Sequence, residues 1–360
     1  MSILVILAIA VLVGLVLTSV QVELVHRLRE GRFPFAPGPR ERAASASRPA
    51  ASMQRPMVSI LKPLCGLEDS LEENLVSFTR LTELSYEVIL SIEDPADPAL
   101  AVAKRVCERF PAAPFSIVVG GVRKGLFSNP KVARLVAAVR RARGDIFFIS
   151  DSNVRVAPDA LAKTVALFEE PSVGCVSNLF LGTGARTFGA RIESLHLLTF
   201  VVAGNALAAA GGVACVVGKS MAISRRAHDA IGGFAMAGNL LAEDQAIGLA
   251  VKAAGFAVVL SPVVVDNIVV HRTLERAIAR QIRWGMIRHS FSAATFFGEF
   301  LLNPFALSLL AWGAAFVWAP EFAFTLGVLS ALSLLIRVFQ ASRLGHLTGA
   351  PLEARTLLLM

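Results

Sequence analysis

The run from Ile3 to Val22 carries no charged residue, and this constrains the chain more than any other stretch. It is about as long as the hydrocarbon core of a bilayer requires, so it reads as a membrane span. No Lys or Arg precedes it and no A-x-A-like cleavage site is evident, which disfavours a removed leader peptide. His26, Arg27, Arg29 and Arg32 follow at once and, by the positive-inside rule, hold what comes next in the cytoplasm, leaving the N-terminus outside. A second apolar region, roughly Phe300 to Phe339, is interrupted by Ala319-Pro320-Glu321 and reads as a helical hairpin with an outer turn there. Arg337 and Arg343 return the chain to the positive side, so both ends predict a cytoplasmic domain held between one N-terminal and at least two C-terminal transmembrane helices. The chain ends within a fresh apolar run, Thr356 to Met360, and a further membrane segment beyond it is an expectation. Composition agrees with an integral membrane protein: 55% of residues are hydrophobic, 17% are charged and the mean hydropathy is +0.63.

The net charge of +8 does not point to nucleic acid, because much of the excess sits beside the membrane segments and a single Tyr leaves little for base stacking. Anionic headgroups and a diphosphate are the expected partners. Cys65, Cys107, Cys175 and Cys215 lack C-x-x-C spacing and read as four reduced thiols.

Between the spans, residues 25–56 read as a basic Pro/Ala-rich tether and residues 57–290 as the folded domain, after an anchor over 1–24 and before a membrane hairpin over 291–360. Val58–Leu61 is a predicted strand, and Ser70 with Glu73 has the spacing of a capping box opening a helix to about Leu81. The alternation continues with a strand at Tyr86–Ile92, a helix at Ala99–Phe110, a strand at Phe115–Val119, a helix from Pro130 to Arg141 and a strand at Asp145–Ser150. Alternating β and α elements argue for an α/β fold with a mostly parallel sheet. Beyond Pro171 the pattern weakens to a strand near Val173–Ser177 and an apolar segment, Leu195–Ala210, expected to be a buried or membrane-facing helix.

Ligands of open α/β sheets bind where strands end, and there Asp94 and Asp151 stand. Asp94 can accept hydrogen bonds from a base or ribose, whereas Asp97 reads equally well as a helix cap. Asp151 follows a fully apolar strand and can face a hard divalent cation bridging protein and diphosphate, although a strand-terminal Asp is also a common turn former. Asp244 begins a predicted helix, where acidic residues offset the helix dipole, yet a carboxylate is also the usual general base for a hydroxyl nucleophile. Arg280 and Arg283, three apart on a predicted helix with Trp284, can grip phosphate oxygens, of a substrate or of lipid headgroups. Gly218-Lys219-Ser220 fails as a phosphate-loop ending because Gly212 leaves five intervening residues where that loop needs four.

The ordered set Ile60-Leu61-Lys62-Pro63-Leu64, Glu93-Asp94-Pro95-Ala96-Asp97-Pro98, Asn129-Pro130-Lys131, Asp151-Ser152-Asn153, Leu241-Ala242-Glu243-Asp244 and Arg280-Gln281-Ile282-Arg283-Trp284 resembles the ceramide glucosyltransferase family of inverting, GT-A-fold glycosyltransferases. The resemblance covers nearly everything from Val58 to the membrane hairpin, and it implies a D, D, D, (Q/R)xxRW site. It implies that Asp94, Asp151, Lys131 and Arg283 bind the nucleotide sugar and that Asp244 is the catalytic base. It places Arg280, Trp284 and Glu243 in the acceptor or diphosphate region, and Asp151 and Asn153 at a Mg²⁺ or Mn²⁺ ion. Asn153 departs from the commoner second carboxylate, supplying a neutral oxygen. The implied activity moves glucose from UDP-glucose to the hydroxyl of a membrane lipid, with ceramide as the leading acceptor, at a bacterial inner membrane. Related bacterial enzymes point to a hopanoid acceptor with UDP-N-acetylglucosamine as the alternative. A non-catalytic lipid-binding membrane protein is the alternative from another class, and retention of all three aspartates argues against it.

Overall fold

The computed structural model describes residues 2–33, 56–123, 125–353 and 356. The tether expected over 25–56 therefore lies mostly outside the described residues, as does the end of the terminal apolar run, 357–360.

Eight strands make one sheet: β1 (Val58–Leu64), β2 (Tyr86–Ile92), β3 (Phe115–Val119), β4 (Ile146–Ser150), β5 (Val154–Arg155), β6 (Val173–Thr183), β7 (Ser220–Ser224) and β8 (Ala257–Ile268). Their order is β3-β2-β1-β4-β7-β6-β8-β5. β3, β2, β1 and β4 run parallel, as the alternation of elements predicts, and β1 and β4 are buried at every position because helices cover both faces. β7 then enters antiparallel to both β4 and β6, while β6 and β8 pair in parallel. The sheet is mixed and mostly parallel. Ser150 pairs with Ser220 in this register, so the residue after β4 and the residue before β7 stand side by side, with Asp151 N donating to the Lys219 carbonyl at 3.2 Å.

Leu61, Ile89, Phe147 and Ile149 of the strands pack with Val132, Leu135, Ile247 and Val251 of two helices, Pro130–Val139 and Glu243–Ala253. The first of these begins as its sequence dictates: Pro130 occupies the first turn and the Asn129 side chain accepts from Lys131 N at 2.9 Å and Val132 N at 3.4 Å. The capping box expected at Ser70 does not form. Ser70 is held at φ 56°, ψ 36°, where its hydroxyl makes no cap bond, and Glu72 pairs with Arg109 at 3.3 Å. The helix runs only from Leu71 to Ser77 before a tighter turn, Phe78–Arg80. β8 escapes sequence inspection because Pro262 interrupts it and cannot donate to a ladder. The sheet absorbs the interruption: pairing jumps from Ser177↔Leu260 to Leu179↔Val264, a bulge that leaves Pro262 out of register.

A second compact unit gathers residues up to Phe33, Ala185–Leu207 and everything from His271 on. The N-terminal helix extends through Ser2–Arg29, past the expected anchor, and packs Leu4 against Ala311, Ala315 and Leu326. Among the described residues three helices are long and apolar enough to cross a membrane: Ile3–Arg29, Phe188–Ala210 and Pro320–Thr348. Two of them match the expected N-terminal and C-terminal spans. The other arm of the hairpin is broken: Phe296–Leu302 and Pro304–Trp318 meet at 81°, because Pro304 has no N–H to continue the helix and forces Asn303 out of helical geometry. The apolar segment expected from Leu195 begins earlier, at Phe188, and passes through a wide π-type stretch, Leu197–Val202, before Ala203–Ala210.

Candidate active site

At the carboxyl edge of β4 the sheet unit builds a network of opposite charges. Lys131, presented by the capped first turn of its helix, places Nζ 2.8 Å from Asp151 Oδ1 and 3.0 Å from Glu243 Oε1, and donates to the Gly218 carbonyl at 3.2 Å. Lys219 holds the other oxygen, Asp151 Oδ2, at 3.1 Å and donates to Asn153 Oδ1 at 2.9 Å. Lys62 is fully buried within β1 and donates to the Asp151 carbonyl at 2.7 Å, and to Ser150 Oγ and the Val154 carbonyl at 3.3 Å each. Three ammonium groups therefore converge on one aspartate.

Asp244 joins the network from the start of the Glu243–Ala253 helix. Its Oδ2 accepts from Gly218 N at 2.6 Å and its Oδ1 from Gln245 N at 2.8 Å, which fixes the carboxylate plane. Glu243 beside it is buried, and its Oε2 accepts from Asn129 Nδ2 at 3.1 Å. Glu243 thus ties the start of one helix to the start of the other and sets the position of Lys131.

These contacts shift the acid–base properties in opposite directions. Burial pushes the Asp151 carboxyl up, but Lys131 and then Lys219 outweigh it and hold the group well below the usual carboxylate range. Burial and the neighbouring Glu243 charge raise the Asp244 carboxyl, with Lys131 and the two backbone donors opposing. Burial lowers the Lys62 ammonium to about 7, against the attraction of Asp151. Lys131 is pulled down by burial and raised above its ordinary value by Asp151, Glu243 and Asp244. One carboxylate is firmly ionised and another is made more basic, the arrangement from which acid–base roles are drawn.

Of the residues singled out in the sequence, Lys131, Asp151, Asn153, Glu243 and Asp244 meet in this network. Asp94 is exposed just past the end of β2, its Oδ1 accepting from Ala96 N at 2.9 Å. Asp97 accepts from Ala99 N at 2.8 Å, as a helix cap does, and also from Gly66 N at 2.9 Å. Gly218, Lys219 and Lys62 are members of the network that sequence inspection does not assign. The available signal was Gly218-Lys219-Ser220 itself, readable as a glycine and a cation opening a strand once the phosphate-loop spacing had failed.

Arg280, Arg283 and Trp284 lie on the Leu274–Phe291 helix of the second unit, which Thr273 caps by accepting from Arg276 N at 3.2 Å. Glu193, completely buried, accepts from Arg280 Nη1 at 2.6 Å, and its other oxygen is ion-paired with Arg272 Nε at 3.0 Å without hydrogen-bond geometry. The Arg280 guanidinium also lies 5.7 Å from the Trp284 ring, whereas Arg283 is exposed. Leu274, Ile278, Ile282 and Met286, four residues apart, form an exposed apolar stripe along the same helix.

Asp151 and Asn153 offer hard oxygen donors of the kind Mg²⁺ and Mn²⁺ accept. Their fit to a cation is visible in the chain itself, since Asp151 Oδ2 and Asn153 Oδ1 already converge on one cationic atom, Lys219 Nζ. Among the described residues no group of three or more His, Cys, Asp or Glu side chains gathers at metal-binding distances, so phosphate oxygens and water would complete such a shell.

A mostly parallel sheet with this charged cluster at its strand ends defines the class, a glycosyltransferase of the GT-A fold. Residues 6–359 match the profile of glycosyl transferase family 21, and the chain belongs to that family. It is 28% identical to ceramide glucosyltransferase 1 of Caenorhabditis elegans over 198 residues, which cover 53% of this chain and 41% of the relative. It is 32% identical to the ceramide glucosyltransferase of Gibberella zeae over 108 residues, covering 28% of this chain and 20% of the relative. The chain thus spans about two-fifths or less of the length of these curated relatives. Among solved structures it is similar in fold to the mannosyltransferase PcManGT from Pyrobaculum calidifontis in complex with GDP-Man and Mn²⁺, with a TM-score of 0.55, 19% identity, and coverage of 94% of this chain and 97% of the other. The family resemblance carried by the motif order is borne out.

Proposed function

We propose that this chain is a membrane-bound inverting glycosyltransferase that moves glucose from UDP-glucose to the hydroxyl of a lipid, with ceramide as the acceptor. The observation that carries the reading is the coupled set of Lys131, Asp151 and Asp244, in which a firmly ionised carboxylate, a cation and a basic carboxylate share one network. Glucose and ceramide are chosen on the names of the family relatives.

In this reading Asp94 holds the uridine nucleotide and Lys131 binds the diphosphate. Asp244 takes the acceptor hydroxyl proton as the oxygen attacks the anomeric carbon, and its raised basicity suits that task. The Gly218 and Gln245 N–H groups keep its carboxylate oriented. A divalent cation, when bound by Asp151 and Asn153, supplies positive charge for the leaving diphosphate. A single displacement converts an α-linked donor into a β-glycoside. Arg283 and Trp284 carry the diphosphate or acceptor role, and the domain faces the cytoplasm.

The test is expression in a host that makes neither glycosylated ceramides nor hopanoids, with each acceptor fed in turn and the lipids analysed by mass spectrometry. A hexosylceramide is expected. A product made only from a hopanoid replaces the acceptor assignment, and no glycolipid from any acceptor overturns the reading. Asp244→Asn is expected to lower turnover by roughly 10² to 10⁴, and normal turnover in that variant removes Asp244 as the base.

A further inference from the structure

The Ala323–Thr348 helix carries a cation on its buried side. Leu326, Ser330, Ser333, Arg337, Gln340 and Leu344, spaced three and four apart, form the buried stripe, whereas Leu332, Leu335, Ile336 and Phe339 are exposed. Arg343, further along, is exposed, as a charge at the positive end of a span is expected to be. Arg337 is only 9% exposed. An ionisable group buried in an apolar span is costly, so its partner has to be identified.

The partner within the chain is neutral. Arg337 Nη1 donates to Gln340 Oε1 at 3.0 Å, and Gln340 Nε2 donates in turn to Ser19 Oγ of the N-terminal helix at 2.9 Å. A carboxamide held in this way orients the guanidinium without cancelling its charge. The ion pairs of this unit engage other cations, Glu193 with Arg272 and Arg280 and Glu299 with Arg288, and among the described residues no acidic side chain reaches Arg337. Its Nε and Nη2 have no partner and are not sealed off, in contrast to the Gln21 amide nitrogen and the Ser333 hydroxyl, which are. The guanidinium therefore opens onto the surface of the helical unit.

Position along the helices says what that surface meets. Ser19 and Gln340 stand at the ends of the two apolar runs, and Arg29 Nε donating to the Leu347 carbonyl at 3.0 Å marks where charge resumes on both helices. That mark lies about 10–15 Å further along, so the guanidinium sits where the hydrocarbon of a bilayer gives way to its headgroup layer. The exposed side chains nearest in sequence, Ile336 and Phe339, are apolar, which suits acyl chains rather than a hydrated anion.

We propose that Arg337, oriented by Gln340 and Ser19, binds the phosphate of an anionic phospholipid seated against the Ser2–Arg29 and Ala323–Thr348 helices. The free N–H groups of the guanidinium match two phosphate oxygens, and the lipid supplies the charge that the chain does not. The site belongs to the helical unit alone and stands whether or not the glycosyl-transfer reading does.

The experiment is thermal unfolding of the delipidated full chain in neutral detergent, with phosphatidylglycerol or diacylglycerol added, while native mass spectrometry counts the lipid retained. Wild type should show a saturable rise in midpoint and one retained phosphatidylglycerol, and neither with diacylglycerol. Arg337→Met should lose the rise and weaken phosphatidylglycerol binding roughly tenfold to hundredfold, the value of one charge-assisted contact. Arg337→Lys should keep part of the affinity, and Arg343→Met should keep all of it. A merely structural arginine would lower the midpoint equally with and without lipid and leave the rise intact, which overturns the proposal. So do equal losses in Arg343→Met, equal binding of diacylglycerol, and displacement of the bound lipid by inorganic phosphate. If Arg337→Met does not fold, Arg337→Lys is compared with Arg343→Lys, and an undiminished response in Arg337→Lys overturns the proposal.

Discussion

Replacing Glu193 with Gln tests how the Arg280 segment is held. The Glu193 side chain has 0% exposure, is hydrogen-bonded to Arg280 at 2.6 Å and is ion-paired with Arg272 at 3.0 Å, with those side chains 17% and 22% exposed. Gln keeps the shape but offers one neutral acceptor in place of a charge shared by two guanidinium groups. Its amide also turns a donor toward a group that only donates. Removing one partner of a buried ion pair costs about 3–5 kcal/mol, and the exposure left to the two arginines returns part of this to water, so about 2–3 kcal/mol is expected. For a body of this size each kcal/mol lowers the unfolding midpoint by roughly 2–4 °C, giving a fall of roughly 4–12 °C. The assay is thermal unfolding of the detergent-solubilised protein followed by tryptophan fluorescence, to which Trp284 contributes from beside Arg280. A double-mutant cycle of Glu193→Gln with Arg280→Gln should show coupling of about 1 kcal/mol or more. A midpoint shift under about 1 °C, or no coupling, would refute the argument that this ion triad fixes the helix.

Two further outcomes concern the sheet unit. Lys62 ionises near 7 in the folded chain against its ordinary 10.5, so between those values the unfolded chain binds a proton that the folded chain does not. Its contribution to stability therefore rises with pH from about 7 to 10.5, and Lys62→Met should flatten that slope in urea midpoints measured across the window. An unchanged slope would rule out a neutral buried Lys62. A Cβ added at Gly218 would lie 2.7 Å from Lys131 Nζ and 3.2 Å from Asp244 Oδ2, so Gly218→Ala should displace both groups. We expect a drop in turnover of roughly 10²-fold, as for a misplaced catalytic group, with the unfolding midpoint moving little. Wild-type turnover in Gly218→Ala would show that the network tolerates being opened.

Much of the architecture is written in short-range pattern. The length of the charge-free run at the N-terminus, the strand and helix alternation from Val58 to Ser150, and the Asn129-Pro130 helix start each depend on neighbours a few residues away. Departures arise where distant contacts override a local preference. Ser70 abandons a capping box for a left-handed turn, β8 carries Pro262 across a bulge, and Pro304 bends what composition suggests is one straight arm.

The same division runs through the candidate site. Order along the chain singles out Asp94, Asp151 and Asp244, because a carboxylate ending an apolar strand or opening a helix is a local signal. Lys62 and Glu193 have no such signal, and Lys219 has only that of a glycine and a cation opening a strand. Lys219 reaches Asp151 only through the antiparallel β4–β7 register, Lys62 looks like any lysine until β1 is buried on both faces, and Glu193 acquires meaning from two arginines far along the chain. By itself the sequence determined the N-terminal span and the last C-terminal one, the mostly parallel α/β plan and the ordered aspartates, since these follow from hydrophobic length and period. The tertiary structure alone decided which charges share a carboxylate, because the energy of an ion pair depends on distance and burial, and both are set by how strands far apart in sequence come to lie side by side.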